Sequence, residues 1–103
     1  MSSCYESRAR LFRALGHPVR LQILDILAVK PCCVWSITQQ IDCRQPYASQ
    51  QLAVLREAGL IIAERKGLEV CYRLASPDVQ RLLQHAIHLE ANVARASTHE
   101  NGA

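Results

Sequence analysis

Helix-breaking residues punctuate the first sixty positions at short intervals, and beyond them the apolar period changes from helix to strand. Leu11, Phe12 and Leu15 repeat along a first helix, predicted from about Tyr5 to Leu15, that Gly16 ends. His17-Pro18 opens a second helix, whose stripe of Val19, Ile23, Ile26 and Leu27 runs to about Ala28 before Lys30-Pro31 breaks it. A short third helix ends near Ile41. Either Cys33 is its N-cap, or the box Ser36-Ile37-Thr38-Gln39 starts it one turn later. Pro46 suits the first turn of a fourth helix, reaching about Ala58 with Ala48, Leu52 and Leu55 inward and Gly59 as its stop. Two strand-like runs follow, 60–65 and 69–74, joined by Lys66-Gly67-Leu68 as a hairpin. Ser76-Pro77-Asp78 starts a last helix carrying Val79, Leu82, Leu83, Ala86, Leu89 and Val93 on one side. That apolar face is too long for the core of a 103-residue chain, so a partner chain is expected to cover part of it. Residues 1–96 read as a single domain and 97–103 as a flexible polar tail.

Four helices, a small hairpin and a helix (α-α-α-α-β-β-α, mainly α) are the element order of a winged helix-turn-helix domain. Three ordered motifs make the likeness specific. Residues 14–24, Ala-Leu-Gly-His-Pro-Val-Arg-Leu-Gln-Ile-Leu, resemble the "A-L-G-x-P-x-R-x-x-I-L" signature of the ArsR/SmtB family of bacterial repressors. Residues 51–61, Gln-Leu-Ala-Val-Leu-Arg-Glu-Ala-Gly-Leu-Ile, resemble its "H-L-x-x-L-R-x-A-G-L-V" run, and Gly67 to Leu74 resemble its wing, "G-x-x-V-x-Y-x-L". The resemblance implies a homodimer, paired through the first and last helices, that represses by binding double-stranded DNA at a palindromic operator until an inducer arrives. In that frame the fourth helix reads DNA. Arg44, Gln45, Tyr47, Ser49 and Gln50 lie in or beside its N-terminal half, off the apolar stripe, and Gln and Ser suit base edges. Arg65 and Lys66 at the hairpin tip suit phosphate or the minor groove. Arg20 reads as an ion-pair partner, His17 as the residue that opens its helix, and Trp35 as a packing residue.

Composition excludes several other functions. Net charge is +3, with ten of the twelve cationic residues arginine, which is compatible with nucleic acid. No apolar run is long enough to span a membrane, and the opening residues lack the apolar core of a secretion signal, so a cytoplasmic protein is expected. The four histidines form no constellation with the cysteines, and phosphate-loop, metal-hydrolase and Cys-x-x-Cys motifs are missing. An enzyme is not expected, nor a cofactor.

Five cysteines, an odd number, argue for reduced thiols with chemical roles rather than a disulfide framework. Cys32 and Cys33 are adjacent, beside Lys30 and at a helix start. Disulfide Cα atoms sit roughly 4.4–6.8 Å apart whereas neighbours sit about 3.8 Å apart, so a Cys32–Cys33 bridge would be strained and readily reduced. The pair is therefore expected to sense oxidants, each thiol resolving the other. The alternative is a thiophilic site for As(III), Cd(II) or Pb(II), completed by Cys4 from the partner's N-terminal arm. The family's arsenic and cadmium sensors carry Cys-x-Cys at this helix, where this chain has Cys33-Val34-Trp35. The last-helix zinc positions of other members fall on Ser76, Asp78, Leu89 and Asn92, of which only Asp78 is a ligand type. Cys43 and Cys71 read as structural, Cys71 without a thiol neighbour.

Overall fold

Every helix that the sequence pattern marks out contributes one apolar stripe to a common core, and that core is what positions the rest. The computed structural model describes the backbone of residues 2–102 and the side chains of residues 4–96. The elements are α1 (Ser2–Leu15), α2 (Pro18–Val29), β1 (Cys32–Cys33), α3 (Val34–Ile41), α4 (Gln45–Glu57), β2 (Ile61–Lys66), β3 (Glu69–Leu74) and α5 (Pro77–Gly102). Ile23 and Leu24 of α2, Ile37 of α3, Leu52 and Leu55 of α4, and Ile61 of β2 are fully buried together. Burying such a side chain is worth about 1.5–3 kcal/mol, so these six anchor the helix-turn-helix and the wing to one another.

Local chemistry sets the boundaries. Gly16 N–H donates to Phe12 O at 3.0 Å and closes α1. His17 caps α2, its Nδ1 accepting from Val19 N–H at 3.1 Å, with Pro18 in the first turn, as the sequence implies. Cys33 caps α3 in extended geometry without a side-chain hydrogen bond, which decides between the two starts considered for that helix. After α4, Gly59 takes φ +80° while Leu60 N–H reaches Leu55 O at 3.0 Å, the six-to-one bond of a Schellman ending. Gly67 at φ +67° occupies the first position of the two-residue turn between β2 and β3, where that backbone is required. The Ser76 hydroxyl accepts from Asp78 N–H at 3.1 Å and starts α5.

The expected hairpin is present, but the sheet has three strands in the order β1-β3-β2. The added strand is the cysteine pair itself. Cys32 is registered against Tyr72 and Cys33 against Cys71, antiparallel. Two residues carry no readable period, so this strand leaves no trace in the pattern. At the other end, α5 continues helical through Gly102, across the stretch expected as a polar tail; the side chains of 97–103 lie outside the described residues.

Among the described residues Arg20 forms no ion pair. Its guanidinium donates to Ala14 O at 2.6 Å, Arg13 O at 3.1 Å and Gln51 Oε1 at 2.8 Å. The first two are carbonyls in the last turn of α1, where positive charge is favoured; Arg13 O also accepts from Gly16 N–H at 3.3 Å. Gln51 is a buried polar residue of α4. One side chain thus ties α1, α2 and α4. Arg20→Leu is expected to lower the unfolding free energy by about 2–4 kcal/mol, because charged hydrogen bonds go and Gln51 loses its partner. Arg20→Lys should recover less than half of that, since an ammonium lacks the planar fork. Urea unfolding checks this; a Leu variant as stable as the parent would show that the clasp holds nothing.

Candidate functional site

On α4 the inward stripe dictates what points out. Ala48, Gln51, Leu52 and Leu55 are buried, which leaves Gln45, Tyr47, Ser49 and Gln50 exposed on the N-terminal half, with Arg44 exposed at the N-cap. The five of the seven positions singled out for DNA contact that lie on or beside α4 are therefore together at one open end of the helix. Pro46 removes a backbone donor there and holds the first turn.

The wing carries the two cations differently from a single patch. In the β2–β3 register Arg65 opposes Val70 and Lys66 opposes Glu69, so the two side chains point to opposite faces. Both are exposed, and Leu68 at the turn is 99% exposed. Lower on the wing, the Arg73 guanidinium donates to the Glu64 carboxylate. That hydrogen bond first, then the charge of Arg73 and that of Lys66, hold the Glu64 carboxyl below the usual carboxylate range. A cavity of about 330 Å³ between wing and helices is bordered by Cys33, Trp35, Gln45, Leu68 and Tyr72. Trp35 is 64% exposed, so it does not pack as expected.

The thiols are arranged otherwise than the sequence suggests. Cys32 is 5% exposed, part of the core, and its Sγ lies 3.5 Å from Lys30 O. Cys33 is half-buried and Cys4 exposed. Successive side chains of a strand point to opposite faces, so Cys32 and Cys33 diverge: one enters the core beside Tyr72, the other joins the face of Cys71. A vicinal Cys32–Cys33 bridge would require the extended backbone of β1 to turn and its pairing to β3 to break. The thiophilic alternative with Cys4 of a partner would likewise need the Cys32 and Cys33 side chains to turn toward one point from opposite faces of β1. Among the described residues no group of three or more His, Cys, Asp or Glu is gathered as a metal site. Cys43 is half-buried between α3 and α4. On α5, Asp78 is paired with Arg81, and His85 and His88 are exposed. The Cys33–Cys71 juxtaposition was not legible: it depends on the register of a strand that has no sequence signal.

Comparison with known proteins agrees with this arrangement. Residues 17–63 match the bacterial regulatory proteins of the arsR family. The chain is 41% identical over 76 residues to a biofilm growth-associated repressor of Agrobacterium fabrum, covering 74% of this chain and 65% of that protein's length. It is 36% identical over 90 residues to an HTH-type transcriptional regulator of Mycobacterium tuberculosis, Rv0081, covering 86% of this chain and 79% of the relative. The Rv0081 crystal structure superimposes with a TM-score of 0.86 at 33% identity, covering 92% of this chain and 96% of that one. The homodimeric winged helix-turn-helix DNA-binding domain of Mb0332 from Mycobacterium bovis superimposes with a TM-score of 0.80 at 34% identity, covering 88% and 83%.

The thiol placements give a graded reactivity. Brief iodoacetamide treatment of the reduced, native protein, read by peptide mass mapping, should label Cys4 fastest and Cys32 slowest, by at least tenfold. Cys32 reacting as fast as Cys4 would mean that β1 does not hold it in the core.

Proposed function

The chain belongs to the arsR family of bacterial regulatory proteins, and from that premise we propose that it is a dimeric, DNA-binding transcriptional repressor whose operator affinity responds to thiol oxidation near the start of α3. One observation carries the DNA-binding part. The packing of α4 exposes Arg44, Gln45, Tyr47, Ser49 and Gln50 as a set, at the end of the helix that can enter a major groove. Gln45 and Gln50 offer paired donor and acceptor groups to base edges, with adenine their best-matched partner. Arg65 and Lys66 flank the helix from the wing and supply sequence-independent affinity.

Dimerisation follows from surface that one chain leaves uncovered. Tyr5 and Phe12 on α1 and Ile87, Leu89 and Val93 on α5 are all more than half exposed. Such a set of large apolar residues on two helices is the mark of an interface. A second copy pairing through α1 and α5 would cover it and set two α4 helices side by side. Two-fold symmetry then demands a palindromic operator with half-sites about one helical turn apart, roughly 34–36 Å. No helix among the described residues is long and apolar enough to cross a membrane. Repression is the role named for the Agrobacterium relative, and blocking a promoter needs nothing beyond such an interface.

Gel shifts on an operator recovered by in vitro selection test the reading. Gln45→Ala with Gln50→Ala should weaken operator binding by at least tenfold, about 1.4 kcal/mol, and binding to random DNA by less than twofold. Arg65→Ala with Lys66→Ala should weaken both about equally and make the salt dependence shallower by about two units. Equal losses on both DNAs from the glutamine variant would move base reading off α4.

A further inference from the structure

We propose that Cys33 and Cys71 are the oxidisable pair of this protein, closing a cross-strand disulfide that fastens the start of α3 to the middle of the wing strand β3 and weakens operator binding. The proposal rests on the DNA-binding reading for its consequence, and on the sheet register alone for its chemistry. Cys33 of β1 stands directly opposite Cys71 of β3 in an antiparallel pair. Residues so placed have Cα atoms roughly 4.5–5.5 Å apart and Cβ atoms about 4.5–5.5 Å apart on the same face of the sheet. A disulfide takes Cα separations of roughly 4.4–6.8 Å and Cβ separations of about 3.5–4.5 Å. Closure therefore asks for an approach of about 1 Å or less, which side-chain rotation and the give of a two-residue edge strand can supply. The remaining thiols are worse partners. Cys32 faces the core on the other side of β1, Cys43 lies between α3 and α4, and Cys4 is on α1. Both members of the pair are half-buried, open enough for a small oxidant.

The chemistry balances with a hydroperoxide as oxidant. One thiolate attacks a peroxide oxygen, the O–O bond breaks, and the cysteine becomes a sulfenic acid while the leaving oxygen takes a proton to give water or an alcohol. The second thiol attacks the sulfenic sulfur, an S–S bond forms, and the hydroxyl leaves as water with that thiol's proton. The two sulfurs together lose two electrons and the peroxide gains them.

Position gives the bond its consequence. Cys33 is the N-cap of α3, and α3 packs against α4. Cys71 lies midway along the wing strand that opposes β2, with Glu64 as its other neighbour. The cavity that Cys33 borders also reaches Gln45 and Leu68, the start of the reading helix and the tip of the wing. Drawing the two backbones together shifts the α3 start and the wing relative to each other, and both must fit one DNA surface at once.

The test treats the full-length reduced protein with a modest excess of hydrogen peroxide, then measures intact mass, non-reducing peptide maps and operator affinity on the same sample. The expected result is a loss of two mass units per chain, a peptide linking Cys33 to Cys71, and at least tenfold weaker operator binding that dithiothreitol restores. Cys33→Ser and Cys71→Ser should each abolish both the bridge and the loss of affinity, while Cys32→Ser, Cys43→Ser and Cys4→Ser keep them. Circular dichroism of the reduced variants confirms that each is folded, and the map of the unsubstituted protein does not depend on them. A bridge between any other two cysteines, no two-unit loss, or a Cys33–Cys71 bridge that leaves operator affinity unchanged overturns the proposal. Reduced protein that does not bind its selected operator would instead sink the DNA-binding reading, and the peptide map would still report on the pair.

Discussion

The buried stripe of α4 is the constraint from which the rest follows. Ala48, Leu52 and Leu55 insert into a core shared with Ile23, Leu24, Ile37 and Ile61, and their spacing leaves the helix no freedom to rotate. Once those positions face inward, Arg44, Gln45, Tyr47, Ser49 and Gln50 face out, at one end and together. Gln51 would be an expensive buried amide on that stripe, and Arg20 gives it a partner. The same guanidinium closes the last turn of α1, so the helix proposed to pair with a second chain is locked to the helix proposed to read DNA through one side chain.

The second dependency runs through β1. Two residues add a third strand to the wing, because pairing Cys32 with Tyr72 and Cys33 with Cys71 places β3 at the centre of the sheet. Strand alternation then gives the adjacent cysteines different fates. Cys32 behaves as a small hydrophobe in the core, a common use of a free thiol. Cys33 meets another thiol across the strands. Thiol chemistry at the start of α3 thus remains the reading that the residues support, with the partner relocated from the neighbour in sequence to the neighbour in the sheet.

Much of this was legible in the sequence because helices announce themselves by period and punctuation. The ends of α1 at Gly16 and α4 near Gly59, the His17-Pro18 opening of α2, the Ser76 start of α5 and the inward residues of α4 all follow from local chemistry that tertiary packing does not override. The exposure of Arg44, Gln45, Tyr47, Ser49 and Gln50 was legible for the same reason, as the complement of a buried stripe. What escaped has no local signal. β1 is too short to alternate, the Cys33–Cys71 register is set by pairing at long range, and Arg20 finds its acceptors on two other helices. Trp35 was misjudged because an aromatic residue near a helix start packs only if a neighbour reaches it, and here it stays open to the cavity beside the wing. The exposed apolar residues of α5 were anticipated in kind, since an apolar face longer than the core of one small chain has to meet something else; for α1 only the family resemblance implied a pairing role.

The central claim is that the exposed end of α4 enters the major groove twice on one operator. Methylation protection of guanine N7, with reduced protein on its selected operator, reads this most directly, because N7 lies in the major groove. We expect two protected patches on one face of the duplex, about one helical turn or roughly 34–36 Å apart and related by the operator's two-fold axis. A single patch, or bound DNA with no protected guanine N7 in operators that place guanines in both half-sites, would contradict it.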